Sequence, residues 1–170
     1  MRTTTIEGMD YTPAARDAAL AAAAAALQQL LDERDIIAVV TRYCRALDTK
    51  DWEELRGVFL ADATADLWGS TGGTLTGVDA IIDRVRRALE PLDITQHLVG
   101  NHEVVFGGNT ATHRCYFQAM HVREMPEGSP NLMFAGRYVD QFERTEVGWR
   151  ISHRTLHAMW TEGNLAVFDD

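Results

Sequence analysis

An aspartate and a histidine in this 170-residue chain are placed where they could act together as a general base. Asp48 follows the apolar face of a predicted helix, and His97 lies among apolar neighbours in a predicted strand. A carboxylate that binds one imidazole nitrogen fixes the tautomer, and the other nitrogen can then take a proton at neutral pH. The pair therefore indicates proton abstraction. The alternatives are a solvated acid in a turn and a structural histidine in a strand.

Other side chains could complete such a site. Tyr43 could donate its phenol proton to a carbonyl oxygen that becomes enolate-like, or it could be a core tyrosine. His121 shares the alternating face of a predicted strand with Phe117, which suits a cavity wall, whereas His113 lies next to a hairpin turn. The side chains that we expect to bind substrate, or otherwise to lie in the core, are Phe117, Phe134, Tyr138, His157, Trp160 and Asn101.

The six histidines raise the question of a metal site. His97, His121 and His157 could converge on zinc if all three faced one cavity. No HxH or HExxH spacing supports such a site, and no phosphate loop, dinucleotide fingerprint or nucleophile elbow is present. We therefore expect neither a metal nor a cofactor.

Hydrophobic periodicity predicts the elements that carry these residues. Helices are predicted over 13–32, 36–47, 52–60 and 77–89, the third with Asp51 as N-cap and Glu54 three residues later. Strands are predicted over 62–68, 95–106, 110–123, 132–144 and 149–160, with a glycine-rich turn over 70–73. On this pattern His97 shares a face with Val99 and Asn101, and His157 shares a face with Trp149. Helices followed by hairpin-linked strands indicate an α+β domain.

Three segments resemble the SnoaL-like branch of the nuclear transport factor 2-like superfamily. They are Tyr43…Asp48, the Trp-x-x-Leu-x-x-x-Phe-x-x-Asp-Ala run from Trp52, and Thr-Gln-His-Leu-Val-Gly-Asn over 95–101. Within that branch they are most similar to scytalone dehydratase and the bile-acid 7α-dehydratases. The resemblance covers about residues 33–162. It implies a cone in which helices pack on a strongly curved, mainly antiparallel sheet, with a small-molecule site at the open mouth.

The resemblance also implies residue roles. Asp48 pairs with His97 as the base, and His121 matches a second histidine of scytalone dehydratase that could protonate a departing hydroxide. His157 lies close to the place where a bile-acid dehydratase carries an arginine, so a carboxylate-anchoring role does not transfer. The implied activity is a cofactor-independent dehydratase acting on a hydrophobic polyketide- or steroid-like carbonyl compound. An isomerase or polyketide cyclase would use the same dyad, and a non-catalytic ligand-binding or assembly subunit would need only the cone.

Composition limits the partners and the organisation. A formal net charge of −9 argues against nucleic acid or an anionic membrane as the partner, and no apolar run is long enough to span a bilayer. We expect an N-terminal arm and Ala-rich helix over 1–32, the cone over 33–162 and a tail over 163–170. The absence of a secretory signal and the two cysteines favour a cytoplasmic protein. An uncovered sheet face favours a homo-oligomer, with a trimer preferred over a dimer.

Overall fold

The computed structural model of the protein describes residues 12–67, 73–124 and 127–169. It falls into two compact units, residues 1–34 and 35–170. The first helix, α1 (Pro13–Thr49), begins in one unit and ends in the other. The sequence predicts two helices here, but neither glycine nor proline separates them, so the backbone continues as one helix. In the first unit Leu20, Leu27 and Leu30 are largely exposed.

The second unit contains the other helices. The last turns of α1 bury Ile36, Val40 and Leu47 in its core. Helix α2 (Trp52–Arg56) begins at Asp51, whose side chain accepts a 2.9 Å hydrogen bond from the Glu54 backbone, which confirms the predicted cap. Helix α3 spans Val78–Leu89, close to its predicted range. The predicted extension of the middle helix to position 60 is wrong, because strand pairing begins at Phe59.

One six-stranded sheet forms the rest of the unit. Its strands, in chain order, are β1 (Phe59–Asp66), β2 (Leu75–Thr76), β3 (Ile94–Gly107), β4 (Thr110–Val122), β5 (Asn131–Thr145) and β6 (Gly148–Gly163). They are arranged β2-β1-β6-β5-β4-β3, with β1 and β6 parallel and all other pairs antiparallel. The predicted α+β class is confirmed. The predicted glycine-rich turn over 70–73 and the arm over 1–12 lie mostly outside the described residues.

Irregular pairing changes which side chains face inward. The β3–β4 register shifts between Gly100 and Glu103, where Asn101 has a φ of 55°, so His102 turns to the buried side. The β5–β6 register also shifts, because Gln141 pairs with His153 whereas Phe142 pairs with Ile151. Each shift reverses the alternation of side chains beyond it.

The prediction that His157 shares a face with Trp149 is therefore wrong. Trp149 and Ile151 are buried before the shift in β6, but Arg154 and Leu156 are the buried residues after it. His157 is exposed. In β3 the shift has the same effect on His102, which unbroken alternation would have placed on the face opposite His97.

The chain closes with a short 3₁₀ helix over Leu165–Phe168. Its Val167 is fully buried, so this part of the predicted tail packs into the core of the second unit. None of the described helices has both the length and the hydrophobicity of a transmembrane segment.

Candidate active site

The end of helix α1 places Asp48 against strand β3. Lys50, with a φ of 55°, stops the helix, and the Asp51 N–H returns to the Ala46 carbonyl at 2.9 Å. The Lys50 ammonium then donates to the Leu92 carbonyl at 2.7 Å, which ties the helix end to the segment that leads into β3. The carboxylate of Asp48 is thereby held beside His97.

Both oxygens of Asp48 bind the same histidine. Oδ1 lies 2.7 Å from His97 Nδ1, and Oδ2 accepts the His97 backbone N–H at 2.9 Å. The His97 side chain is only 5% exposed, and the Thr95 hydroxyl lies 3.4 Å from the same Nδ1. A carboxylate at Nδ1 keeps the proton on that nitrogen and leaves Nε2 free to accept another. This two-point contact fixes both the ring and the backbone of the residue that would act as base.

The second predicted histidine is next to the first. The ring centroids of His121 and His97 are 5.7 Å apart in an edge-to-face arrangement, and the ring of Phe168 covers His121 at 4.9 Å. His121 is 2% exposed, and its Nδ1 has no hydrogen-bond partner among the described residues. Burial, reinforced by the neighbouring His97, lowers the pKa of His121 to about 4. His121 is therefore a neutral imidazole at neutral pH.

Tyr43 forms another part of the wall. Its ring packs edge-on against Phe59 and Tyr138, with centroid separations of 6.0 and 5.8 Å. Burial raises the pKa of Tyr43, with the charge of Arg154 opposing the shift. The phenol is therefore protonated at neutral pH and can serve as a hydrogen-bond donor.

These side chains line one largely apolar pocket, with about 440 Å³ of empty space including its open mouth. The lining residues are Tyr43, Leu47, Leu67, Val85, Ala88, Leu89, His97, Phe117, His121, Phe134, Tyr138 and Leu156. Asp48 lies behind His97 and contacts it from outside this lining. Pockets of this kind, with a few convergent polar groups in an apolar wall, are typical of small-molecule sites.

Three residues predicted to bind substrate are not part of this lining. Asn101 is exposed at the β3 irregularity, and His157 is exposed beyond the β6 irregularity. Trp160 is 45% exposed. Because His157 points outward, the zinc set of His97, His121 and His157 is not assembled.

Sequence reasoning missed a buried ion pair that packs against Tyr43 and Tyr138. Arg154 donates to the two oxygens of Asp140 at 2.7 and 2.8 Å, and both residues are fully buried. The guanidinium lies 3.9 Å from the ring centre of Tyr43 and 4.2 Å from that of Tyr138. The Arg154–Asp140 pair therefore packs against both tyrosines and fixes their positions. Asp140 lies between Tyr138 and Phe142 on the same face of β5, and a charged residue in an otherwise apolar series could have revealed the ion pair.

The depressed pKa of His121 predicts a loss of stability in mild acid. The unfolded chain binds a proton below pH 6.5 and the folded chain only near pH 4, so stability falls as pH drops through this window. The full shift corresponds to roughly 3 kcal/mol. Urea unfolding at about pH 7 and about pH 5 should show a smaller acid loss in His121→Gln than in the parent.

His157→Gln is the matched control, because it removes an exposed imidazole. It should leave the acid loss of the parent protein unchanged. Equal acid losses in the parent and in His121→Gln would contradict the assignment of the effect to His121.

The chain is similar to a known domain family and to several solved structures. A model of the SnoaL-like domain matches residues 28–155. The solved structure of Kfla4162 from Kribbella flavida is 26% identical, with a TM-score of 0.74 over 79% of this chain and 95% of that one. A protein of Novosphingobium aromaticivorans, provisionally named a scytalone dehydratase, is 24% identical, with a TM-score of 0.72 over 80% and 89% of the two chains.

A third solved structure of similar fold has the name of a different enzyme. It is hexachlorocyclohexane dehydrochlorinase LinA-type3 from Novosphingobium barchaimii, 15% identical, with a TM-score of 0.71 over 85% of this chain and 97% of that one. At this identity the likeness concerns the fold. Together with the SnoaL-like domain match, the similar folds of these structures confirm the predicted nuclear transport factor 2-like architecture.

Proposed function

Because this chain belongs to the SnoaL-like domain family, we propose that it is a cofactor-independent lyase in which His97 is the general base. The observation that carries the proposal is the two-point contact of Asp48 with His97 at the wall of an apolar pocket. Such a contact fixes the tautomer that leaves Nε2 ready to accept a proton. The names dehydratase and dehydrochlorinase, carried by proteins of similar fold, both denote eliminations, which supports the same reaction class.

The reaction begins at a carbon next to a carbonyl group. His97 Nε2 takes the proton, and the electrons of the C–H bond form an enolate. The Tyr43 hydroxyl, which is protonated at neutral pH, donates a hydrogen bond to the carbonyl oxygen as negative charge develops there. Asp48 stabilises the imidazolium that His97 becomes, since its carboxylate remains bound to Nδ1.

Departure of the β-hydroxyl completes the elimination. The enolate electrons form the carbon–carbon double bond, the C–O bond breaks, and the hydroxide needs a proton to leave as water. His121 carries no acidic proton at neutral pH, because the pKa of its imidazolium is only about 4 and the ring is therefore neutral. The proton therefore comes from the imidazolium of His97, while His121 orients the leaving oxygen with a hydrogen bond. In this proposal His121 is therefore not the general acid that the family resemblance implies.

The lining of the pocket favours a hydrophobic carbonyl substrate. Phe117 stacks on Tyr138 at 4.4 Å between ring centres and meets Phe134 edge-on at 5.5 Å, so one side of the pocket is aromatic. Such a wall suits a flat, ringed compound of polyketide or steroid type. An isomerase or a cyclase would share the first proton transfer and differ in the fate of the enolate.

A substrate panel in deuterated water tests the proposal. β-Hydroxy ketones, steroid enones and polyketide-like aromatics would be incubated with the protein, and mass spectrometry would follow deuterium uptake and loss of water. We expect both on at least one β-hydroxy ketone. Uptake without water loss would favour an isomerase or cyclase. Binding without either would favour a ligand-binding or assembly subunit, and would contradict the proposed lyase.

A further inference from the structure

A second group of histidines lies outside the pocket just described. His102 on β3 and His113 and Cys115 on β4 each offer one ligand atom, and these atoms lie within 4.8 Å of one another. The β3 irregularity at Asn101 brings this about, because it turns His102 toward the buried face that carries His113 and Cys115. His113 and Cys115 are buried and His102 is half-buried.

A hydrogen-bonded chain orients the central histidine. Asp140 lies 3.1 Å from His113 Nδ1, and its other contacts are the two hydrogen bonds from Arg154. Both oxygens of Asp140 accept hydrogen bonds from the Arg154 guanidinium, so this side chain is an acceptor and His113 Nδ1 donates to it. The lone pair of His113 Nε2 then points toward His102 Nδ1, 3.0 Å away.

We propose that His102, His113 and Cys115 bind a divalent transition-metal ion of the zinc type. Two imidazoles and a thiolate are a ligand set that zinc and cobalt favour. A histidine ligand normally donates its second ring nitrogen to a carboxylate, which is the arrangement of His113 and Asp140. Tetrahedral ligands lie about 3.3–3.7 Å apart, so separations of up to 4.8 Å need only a small inward movement.

The site has an entrance and room for a fourth ligand. His102 lines an open groove together with Thr41, Arg45 and Leu98, and the groove contains about 750 Å³ of empty space including solvent. An ion can therefore reach His102 from solvent, and a water molecule can complete the tetrahedron on that side. The half-buried ring of His102 is also the ligand best able to move.

The proton balance of binding follows from the same contacts. His102 donates its Nδ1 proton to His113 in the metal-free protein, so binding moves this proton to Nε2 without releasing it. Cys115 would bind the ion as a thiolate, so its thiol loses its proton to the solvent when the sulfur binds the ion. One proton is thus released for each ion bound.

Metal titration of the full chain, after chelator treatment, tests the proposal. Cobalt(II) should bind at one ion per chain with a sulfur-to-cobalt charge-transfer band in the near ultraviolet. Zinc(II) should displace the cobalt, and calorimetry in buffers of different ionisation enthalpy should show release of one proton. Cys115→Ser should lose the band. His102→Ala should weaken binding by at least ~100-fold, since even outer-shell partners of a ligand account for ~10–100-fold.

Two variants serve as matched controls. Cys44→Ser removes the other buried thiol, and His97→Ala removes the other histidine that borders the groove. Both should retain the band and the affinity. His102→Gln provides a second test if Cys115→Ser does not fold, as judged by circular dichroism.

Two results would overturn the proposal. One is binding that persists in Cys115→Ser and His102→Ala but is lost in His97→Ala, which would place the ion on the dyad. The other is the absence of saturable cobalt or zinc binding by the folded parent, in which case the hydrogen bonds of His113 with His102 and Asp140 are structural only.

Discussion

His97→Ala is expected to lower kcat/KM by ~10²–10⁴-fold, the range typical of losing one positioned proton-transfer group. The side chain is nearly buried and contacts the dyad aspartate and the pocket, and no other described residue in the pocket pairs with a carboxylate in this way. Asp48→Asn should have a loss of similar order, because the amide can present its NH₂ group to Nδ1 and reverse the tautomer. Steady-state kinetics on a substrate found in the panel would measure both.

The matched control for this prediction is His157→Ala, which removes an exposed histidine of β6. It should retain the kcat/KM of the parent protein. Circular dichroism and urea unfolding would establish that His97→Ala is folded. A folded His97→Ala with parental kcat/KM would exclude His97 as the base.

Arg154→Met is expected to cost about 3–5 kcal/mol of unfolding free energy, the largest stability effect that we predict. The substitution leaves the Asp140 carboxylate buried without its charged partner, and it removes the guanidinium from its contacts with the rings of Tyr43 and Tyr138. Urea unfolding at neutral pH would measure the loss. The double variant Arg154→Met/Asp140→Leu should be more stable than Arg154→Met, because it no longer buries an unpaired charge.

The surface pair Arg56 and Asp79 provides the control for that experiment. Their side chains lie 2.7 Å apart, but they are 41% and 81% exposed. Removing either should change stability only slightly, because water and salt screen an exposed ion pair. A loss of this small size in Arg154→Met would contradict the structural role assigned to the buried pair.

The stabilising contributions of Asp140 and His121 are lost in different pH windows. The folded-state pKa of Asp140 is lowered, so its stabilising contribution is present above the ordinary carboxyl range and is lost only as pH falls below that range. The contribution of a neutral His121 is lost at milder acidity, between pH 6.5 and about 4. A loss of stability that begins in mild acid is therefore not due to Asp140.

Much of the fold could be predicted from local patterns. The capped start of α2, the span of α3 and the long hairpins follow from N-cap residues, helical periodicity and alternation. Local patterns alone left a solvated acid and a structural histidine as alternatives, and the resemblance to scytalone dehydratase is what favoured the pairing of Asp48 with His97.

The rest depended on tertiary contacts that no local pattern encodes. The irregularities near Asn101 and Ser152 exchange the inward and outward faces of β3 and β6, which is why His102 and Arg154 were missed and His157 was placed wrongly. A strand register is fixed by its partner, so a single sequence does not reveal where an extra residue is inserted. The cover that Phe168 forms over His121 likewise brings together distant parts of the chain.

The most direct test of the dyad is hydrogen–deuterium exchange at the acidic carbon of a bound carbonyl compound, followed in parallel for the parent protein, His97→Ala and Asp48→Asn. This exchange reports the first proton transfer alone and does not depend on which group leaves. We predict rapid exchange by the parent protein, almost none by His97→Ala, and a strongly reduced rate for Asp48→Asn. Exchange at the parental rate in folded His97→Ala would show that another group removes the proton and would contradict the account.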